Sequence, residues 1–210
     1  VTGAAQSPVA AGTWVVSDSS TRATFTVANL GRAVTGSVAA SWGEVVVDAS
    51  GAPVRARAEL DLGSVCTGVA RRDADLRGPR FLDAERHPVM AWTAERFSRT
   101  EDGGWTADGV LALRGTSAPL SVRATPEAGG SDGGRLRIRA TAVLDRRSVG
   151  IRAPALLVGR QVWIDVDAEL TLVQQRPPGA SGPGRWPCSS PWPGAVPPTT
   201  IPTRRPAEAT

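Results

Sequence analysis

The sequence predicts an all-β protein: a single antiparallel eight-stranded β-barrel over residues 12–174, with a short helical or loop insertion near residues 67–88. Three features of the residue pattern predict it. Apolar and polar residues alternate with a period of two in segment after segment, which gives each strand one buried and one wet face; antiparallel sheets show this and doubly covered parallel sheets do not. No stretch carries the period of a long amphipathic helix. Several segments exceed the usual strand length of about 5–6 residues, and long one-faced strands lose their exposed edges when they close into a barrel.

Residues 1–11 are small and polar and are expected to be disordered. The β pattern starts at Thr13. Ala23, Phe25 and Val27 alternate with Arg22, Thr24 and Thr26, and less regular segments follow at Ala33–Ala40 and Glu44–Asp48. In Val54–Leu62 the apolar face is Val54, Ala56, Ala58, Leu60 and Leu62. Met90, Trp92 and Ala94 share a face, as do Gly109, Leu111 and Leu113, then Leu120, Val122 and Ala124. A long strand carries Leu136, Ile138, Ala140, Ala142 and Leu144 opposite Arg135, Arg137 and Arg139. The last sets Val162, Ile164, Val166, Ala168, Leu170 and Leu172 against Gln161, Asp165, Asp167, Glu169 and Thr171. Turns are expected at Asp102-Gly103-Gly104 and at Gly129–Gly134, and the Gly109–Leu113 face ends before Arg114-Gly115.

An eight-stranded barrel is either filled by side chains or holds one small ligand. Alanines 56, 58, 94, 140, 142 and 168 all fall on apolar faces. They favour a cavity, with a barrel filled by larger neighbours as the alternative. The insertion Thr67–Pro88 holds five arginines, four acids and the single histidine, with Val69, Leu76, Phe81 and Leu82 as apolar anchors. It reads as a segment folded over one end of the barrel.

From Arg176 the character changes. Ten of the 17 prolines lie in the last 35 residues, so residues 175–210 read as a disordered Pro-rich tail. The 24 basic residues are all arginine, and the formal net charge is +4. The tail holds Arg176, Arg185, Arg204 and Arg205 against Glu208, which leaves the body nearly neutral. A neutral body is a poor match to a phosphate backbone, so no nucleic-acid partner is expected. No run approaches the roughly 18–20 apolar residues of a membrane helix. No basic, apolar leader is visible at the start, so a cytoplasmic location is expected, with export the alternative if the N-terminus is trimmed. A homodimer is left open.

The chemistry of catalysis is sparse. Without lysine there is no Schiff-base chemistry. A single histidine, His87, excludes histidine metal clusters, and Cys66 and Cys188 have neither disulfide-framework nor metal-site spacing. A Cys66–His87–acid arrangement is formally available, but His87 sits before Pro88 in a charged loop. Asp165, Asp167 and Glu169 alternate with the apolar face and should point to water. No catalytic residue, metal site or cofactor is expected.

Several short motifs in order resemble the YceI-like family of lipid-binding proteins, from about Trp14 to Val173. They are Phe25-Thr26-Val27 with Thr35-Gly36; Ser64-Val65-Cys66-Thr67-Gly68; Arg72-Asp73-Ala74-Asp75-Leu76-Arg77; Phe81-Leu82-Asp83; His87-Pro88; Gly109 through Thr116; and Asp145-Arg146-Arg147-Ser148-Val149-Gly150. The resemblance implies an extended, lipocalin-like barrel whose elongated pocket holds a polyisoprenoid or isoprenoid-quinone chain, with no catalytic residues. The chain departs from the family at Ser37-Val38, where an aromatic is common, at Cys66, where a polar residue is usual, and at Trp92, where Phe is typical.

The expected function is therefore binding, sequestration or transport of an isoprenoid-type lipid. The expected pocket wall is Phe25, Val27, Leu60, Leu62, Met90, Trp92, Leu111, Leu113, Leu136, Ile138, Val162 and Ile164. Arg71, Arg72, Arg77 and Arg80 are head-group candidates; the alternative is that they pair with nearby acids and pin the loop. Two other functions stay open: an enzyme acting on a lipid held in the barrel, and a partner-binding module working through the Pro-rich tail.

Overall fold

Period-two alternation becomes nine strands in the computed structural model, which describes residues 9–16, 21–132, 134–153 and 158–173. They are β1 (Gly12–Val16), β2 (Arg22–Asn29), β3 (Arg32–Val47), β4 (Pro53–Cys66), β5 (Val89–Arg99), β6 (Trp105–Leu113), β7 (Thr116–Asp132), β8 (Arg135–Asp145) and β9 (Val158–Val173). One helix, α1 (Ala70–Arg77), lies between β4 and β5. Residues 175–210, read as a Pro-rich tail, lie outside the described residues.

Nine strands make eight staves. β2 pairs with Arg32–Ala39 of β3 and with Val158–Asp167 of β9. β1 pairs further along the same two strands, with Glu44–Val47 and Leu170–Val173. The two short strands thus share one position in a ring that is antiparallel throughout and closed by β3–β4 and β2–β9.

Two bulges explain where the alternation looked irregular. Ala40 pairs with Leu60 and Trp42 with Glu59, so Ser41 is an extra residue. It reverses the parity of β3, from Val38 and Ala40 inward before it to Val45 and Val47 after it. One continuous strand therefore reads in sequence as two segments. A second register shift lies between Ala94 and Arg96 in β5. The expected turn at Gly129–Gly134 is mostly strand, because β7 runs to Asp132 and the chain reverses around Gly134, at φ 88°.

Hairpin chemistry sorts the two ends. Leu30-Gly31 and Arg114-Gly115 both have positive φ at both residues, the geometry of a tight two-residue hairpin that matches strand twist. Both turns lie at the end that also carries α1. At that end Leu62, Leu111, Leu113, Ala118, Leu120, Leu144 and Val149 form a buried cluster. At the other end Trp14, Val47, Leu136 and Leu170 form a second one. Residues 9–11, assigned to a disordered N-terminus by sequence, contribute here: Val9 packs on this cluster, and Trp14 Nε1–H donates to the Ala10 carbonyl at 2.9 Å.

Two inward aromatics lie on glycines of neighbouring strands. A Cβ on Gly36 would fall 2.8 Å from Phe25 Cε1, and a Cβ on Gly109 would fall 2.6 Å from Trp92 Nε1. The Trp92 indole crosses β6 at Gly109 and donates to the Leu120 carbonyl of β7 at 3.0 Å. These glycines let large rings lie along the wall instead of filling the bore. Gly109→Val is expected to destabilise the protein by about 1–3 kcal/mol through overpacking and to displace the Trp92 indole. Chemical denaturation and the Trp92 Nε1–H NMR resonance check both; an unchanged resonance would show that the ring does not depend on Gly109.

Candidate functional site

The inward faces enclose two adjoining apolar chambers along the barrel. The wider, about 240 Å³, reaches from mid-barrel toward the Trp14 end. The narrower, about 140 Å³, lies under the insertion. Ala23, Leu60, Met90 and Ile164 line both, so the chambers abut at mid-barrel. A space of roughly 10–15 Å³ already admits a water molecule, so the barrel is hollow rather than filled. Ala56, Ala58, Ala140, Ala142 and Ala168 line the wider chamber, as small inward residues predict, while Ala94 is buried outside the lining.

All twelve residues expected on the pocket wall line a chamber. Trp92, Leu111, Leu136 and Ile138 face the wider one; Phe25, Val27, Leu62, Leu113 and Val162 face the narrower; Leu60, Met90 and Ile164 face both. Sequence reasoning missed Phe97, because the shift after Ala94 reverses the parity of β5, and Trp105, which opens β6 just after a turn.

The insertion covers the narrower chamber. Leu76, Phe81 and Leu82 reach its lining, whereas Val69, expected as a fourth anchor, is exposed. Backbone bonds from Leu82 N–H to the Leu76 carbonyl and from Ala84 N–H to the Arg77 carbonyl fold the loop back on α1. Arg114 Nη2 donates to the Pro79 carbonyl and its Nη1 to that of Gly150, which joins three connections at this end.

The start of α1 is fixed by Asp73, 7% exposed. Its carboxylate accepts from the Thr67 amide at 2.8 Å and from the Thr67 hydroxyl. Arg72 Nε donates to the same hydroxyl at 2.7 Å and Nη2 to the Thr67 carbonyl at 3.1 Å. Arg77 Nη1 donates to the Gly63 carbonyl. None of Arg71, Arg72, Arg77 or Arg80 lines a chamber; Arg72 and Arg77 bond the chain's own backbone, and Arg71 and Arg80 are exposed.

Two other arginines line the chambers, Arg57 the wider and Arg146, through its apolar stem, the narrower. Arg146 is 2% exposed and lines the narrower chamber. It continues the inward parity of β8 through Leu136, Ile138, Ala140, Ala142 and Leu144, a signal present in the sequence. Its Nε donates to the Gly159 carbonyl at 2.8 Å; Nη1 reaches Ile151 O, and Nη2 reaches Ala153 O and Val158 O, each at 2.9 Å. Burial pushes its pKa down.

The remaining titratable candidates face outward. Arg137 and Arg139 bond Glu169 and Asp167 across the strand pair. Cys66 is exposed at the end of β4, and His87 lies beside the Arg114-Gly115 turn. Among the described residues no group of three His, Cys, Asp or Glu side chains is placed to hold a metal.

The YceI-like domain pattern matches residues 14–170. UPF0312 proteins from Pseudomonas putida strains F1 and KT2440 are each 26% identical over 139 residues, 65% of this chain and 69% of the relative. The crystal structure of Burkholderia cenocepacia BcnA has a TM-score of 0.63 at 14% identity, over 73% of this chain and 98% of BcnA. A polyisoprenoid binding domain from Saccharophagus degradans, implicated in plant cell wall breakdown, has a TM-score of 0.57 at 12% identity, over 76% of this chain and 98% of that domain.

Hydrogen bonds from the Thr67 hydroxyl, then from its amide, together with the nearby charges of Arg77 and Arg72, hold the Asp73 pKa below its ordinary 3.8 despite burial. The lowered pKa makes this contact fully stabilising above pH 3.8, and the stabilisation is lost as pH falls through the folded-state value. Asp73→Ala is expected to abolish the hydrogen-exchange protection of the Thr67 amide at neutral pH. Retained protection would show that α1 is held without this carboxylate.

Proposed function

We propose, from the premise that this chain belongs to the YceI-like family, that it binds and sequesters or carries an amphiphilic isoprenoid-type lipid inside the barrel. The observation that carries this reading is the pair of abutting apolar chambers lined by all twelve predicted wall residues. Burying each CH₂ contributes about 0.8 kcal/mol, so a few isoprene units supply ample affinity without any charge. An elongated bore suits a single unbranched or methyl-branched chain better than a fused ring system. The likeness to a solved domain described as polyisoprenoid binding supports the isoprenoid class. The interior presents mostly aliphatic and aromatic side chains to whatever it holds, with Thr21, Glu44, Arg57 and Thr141 the polar residues lining the wider chamber, which favours holding a lipid over transforming it.

Native mass spectrometry of the purified protein, followed by organic extraction, is expected to show a discrete added mass that extracts as an isoprenoid. An unliganded protein that also takes up no long-chain isoprenoid would overturn the proposal. Ala140→Trp, in the wall of the wider chamber, is expected to keep the fold and reduce bound lipid severalfold; wild-type lipid content in that variant would remove β8 from the binding surface.

A further inference from the structure

The two chambers meet at a waist formed by the four residues that line both: Ala23 of β2, Leu60 of β4, Met90 of β5 and Ile164 of β9. Leu60 and Met90 are direct partners across β4 and β5. β5 and β9 are separated by three staves on either side of the ring, so Met90 and Ile164 approach each other from opposite walls. Both stay partly exposed although they point inward, because they face hollow space. Their stiffness differs. Ile164 is β-branched and held at χ1. Met90 is unbranched, with three rotatable bonds and a polarisable thioether, so it can move aside without the backbone following. Volume gives the waist a consequence. At roughly 30 Å³ for a methylene-sized group, similar to the share of a water molecule in the liquid, the wider chamber of about 240 Å³ takes about eight carbons and the narrower, of about 140 Å³, about five. The wider therefore holds a little under two isoprene units, and the narrower holds one.

We infer that the waist sets how far a bound chain runs: the last isoprene unit of the tail occupies the narrower chamber, and Met90 is the residue that admits it. This rests on the lipid-carrier reading and adds to it the direction of the lipid and the side chain that selects its length. The narrower chamber suits a tail end. Its cover, Leu76, Phe81 and Leu82, is apolar, and the Arg146 guanidinium is taken up by four backbone carbonyls. Thr21, Glu44, Arg57 and Thr141, by contrast, belong to the lining of the wider chamber. The polar end of an amphiphile stays on that side, where it keeps polar groups or water within reach instead of being buried without a partner.

The test uses the delipidated full chain with geraniol and farnesol, alcohols of two and three isoprene units. Farnesol is expected to bind at least about tenfold more tightly than geraniol, because its third unit is buried past the waist. Met90→Trp, which fills the waist, should bring farnesol to within about threefold of geraniol, because the third unit then stays outside, while geraniol still binds. Met90→Leu, a change that nearly conserves volume, should keep the wild-type preference. Because an overpacked variant can lose stability, NMR contacts in the wild type decide independently of it. The terminal methyls of bound farnesol are expected to contact Leu82, and its middle unit the Met90 methyl. Terminal methyls lying against Leu136 or Leu170 instead, or an undiminished farnesol preference in a folded Met90→Trp, would overturn the inference and leave a lipid carrier. Equal affinity of the wild type for the two alcohols would do the same. Failure to bind either alcohol, or any long-chain isoprenoid, would overturn the carrier reading as well.

Discussion

Everything in this molecule depends on the pairing of its first stave with its last strand. β9 takes β2 along one half and β1 along the other, with Phe25 opposite Ile164 and Trp14 opposite Leu172. Without that closure the sheet would have two open edges and an apolar face directed at water. With it, the same face becomes the inside of a tube. The pairing joins residues near opposite ends of the domain, so it carries a large loop-closure entropy. The ring offsets that entropy cooperatively, because no strand is fully satisfied until its neighbours are.

A closed tube of eight staves could have been solid. What keeps it hollow is the size and placement of the inward residues. Alanines remove volume along β4, β8 and β9, and the large aromatics are laid flat. Phe25 lies on Gly36 and Trp92 on Gly109, the latter reaching across β6 to the Leu120 carbonyl. The ring of a Trp thereby contributes apolar wall while its one polar atom is satisfied by backbone. Trp92 thus brings its own hydrogen bond and becomes part of the wall.

Polar chemistry is segregated by the same geometry. Arg135, Arg137 and Arg139 meet Glu169 and Asp167 on the wet face, where such pairs contribute little to stability. Asp73, Thr67 and Arg72 form a compact network that fixes the insertion over one end. Arg146 is inward by parity and a cation by chemistry, and its guanidinium is tied to four backbone carbonyls.

The residue pattern by itself determined the class and the number of staves, and it showed which residues of the regular segments share a face, because period-two alternation is a local property that each strand states for itself. It also placed the insertion and three of its apolar contacts with the chamber, Leu76, Phe81 and Leu82. Bulges at Ser41 and after Ala94 hid part of the wall, since one added residue reverses parity without changing composition. The arginines of the insertion lie outside both chambers, whereas Arg146 follows the inward parity of β8 and its surroundings are set by the next connection. Only the tertiary structure could decide that β1 and β2 share one stave, that glycines receive the aromatic rings, and that four carbonyls from the connection after β8 and the start of β9 hold a buried guanidinium. Each is a relation between different elements of the chain, and alternation carries no information about which elements meet.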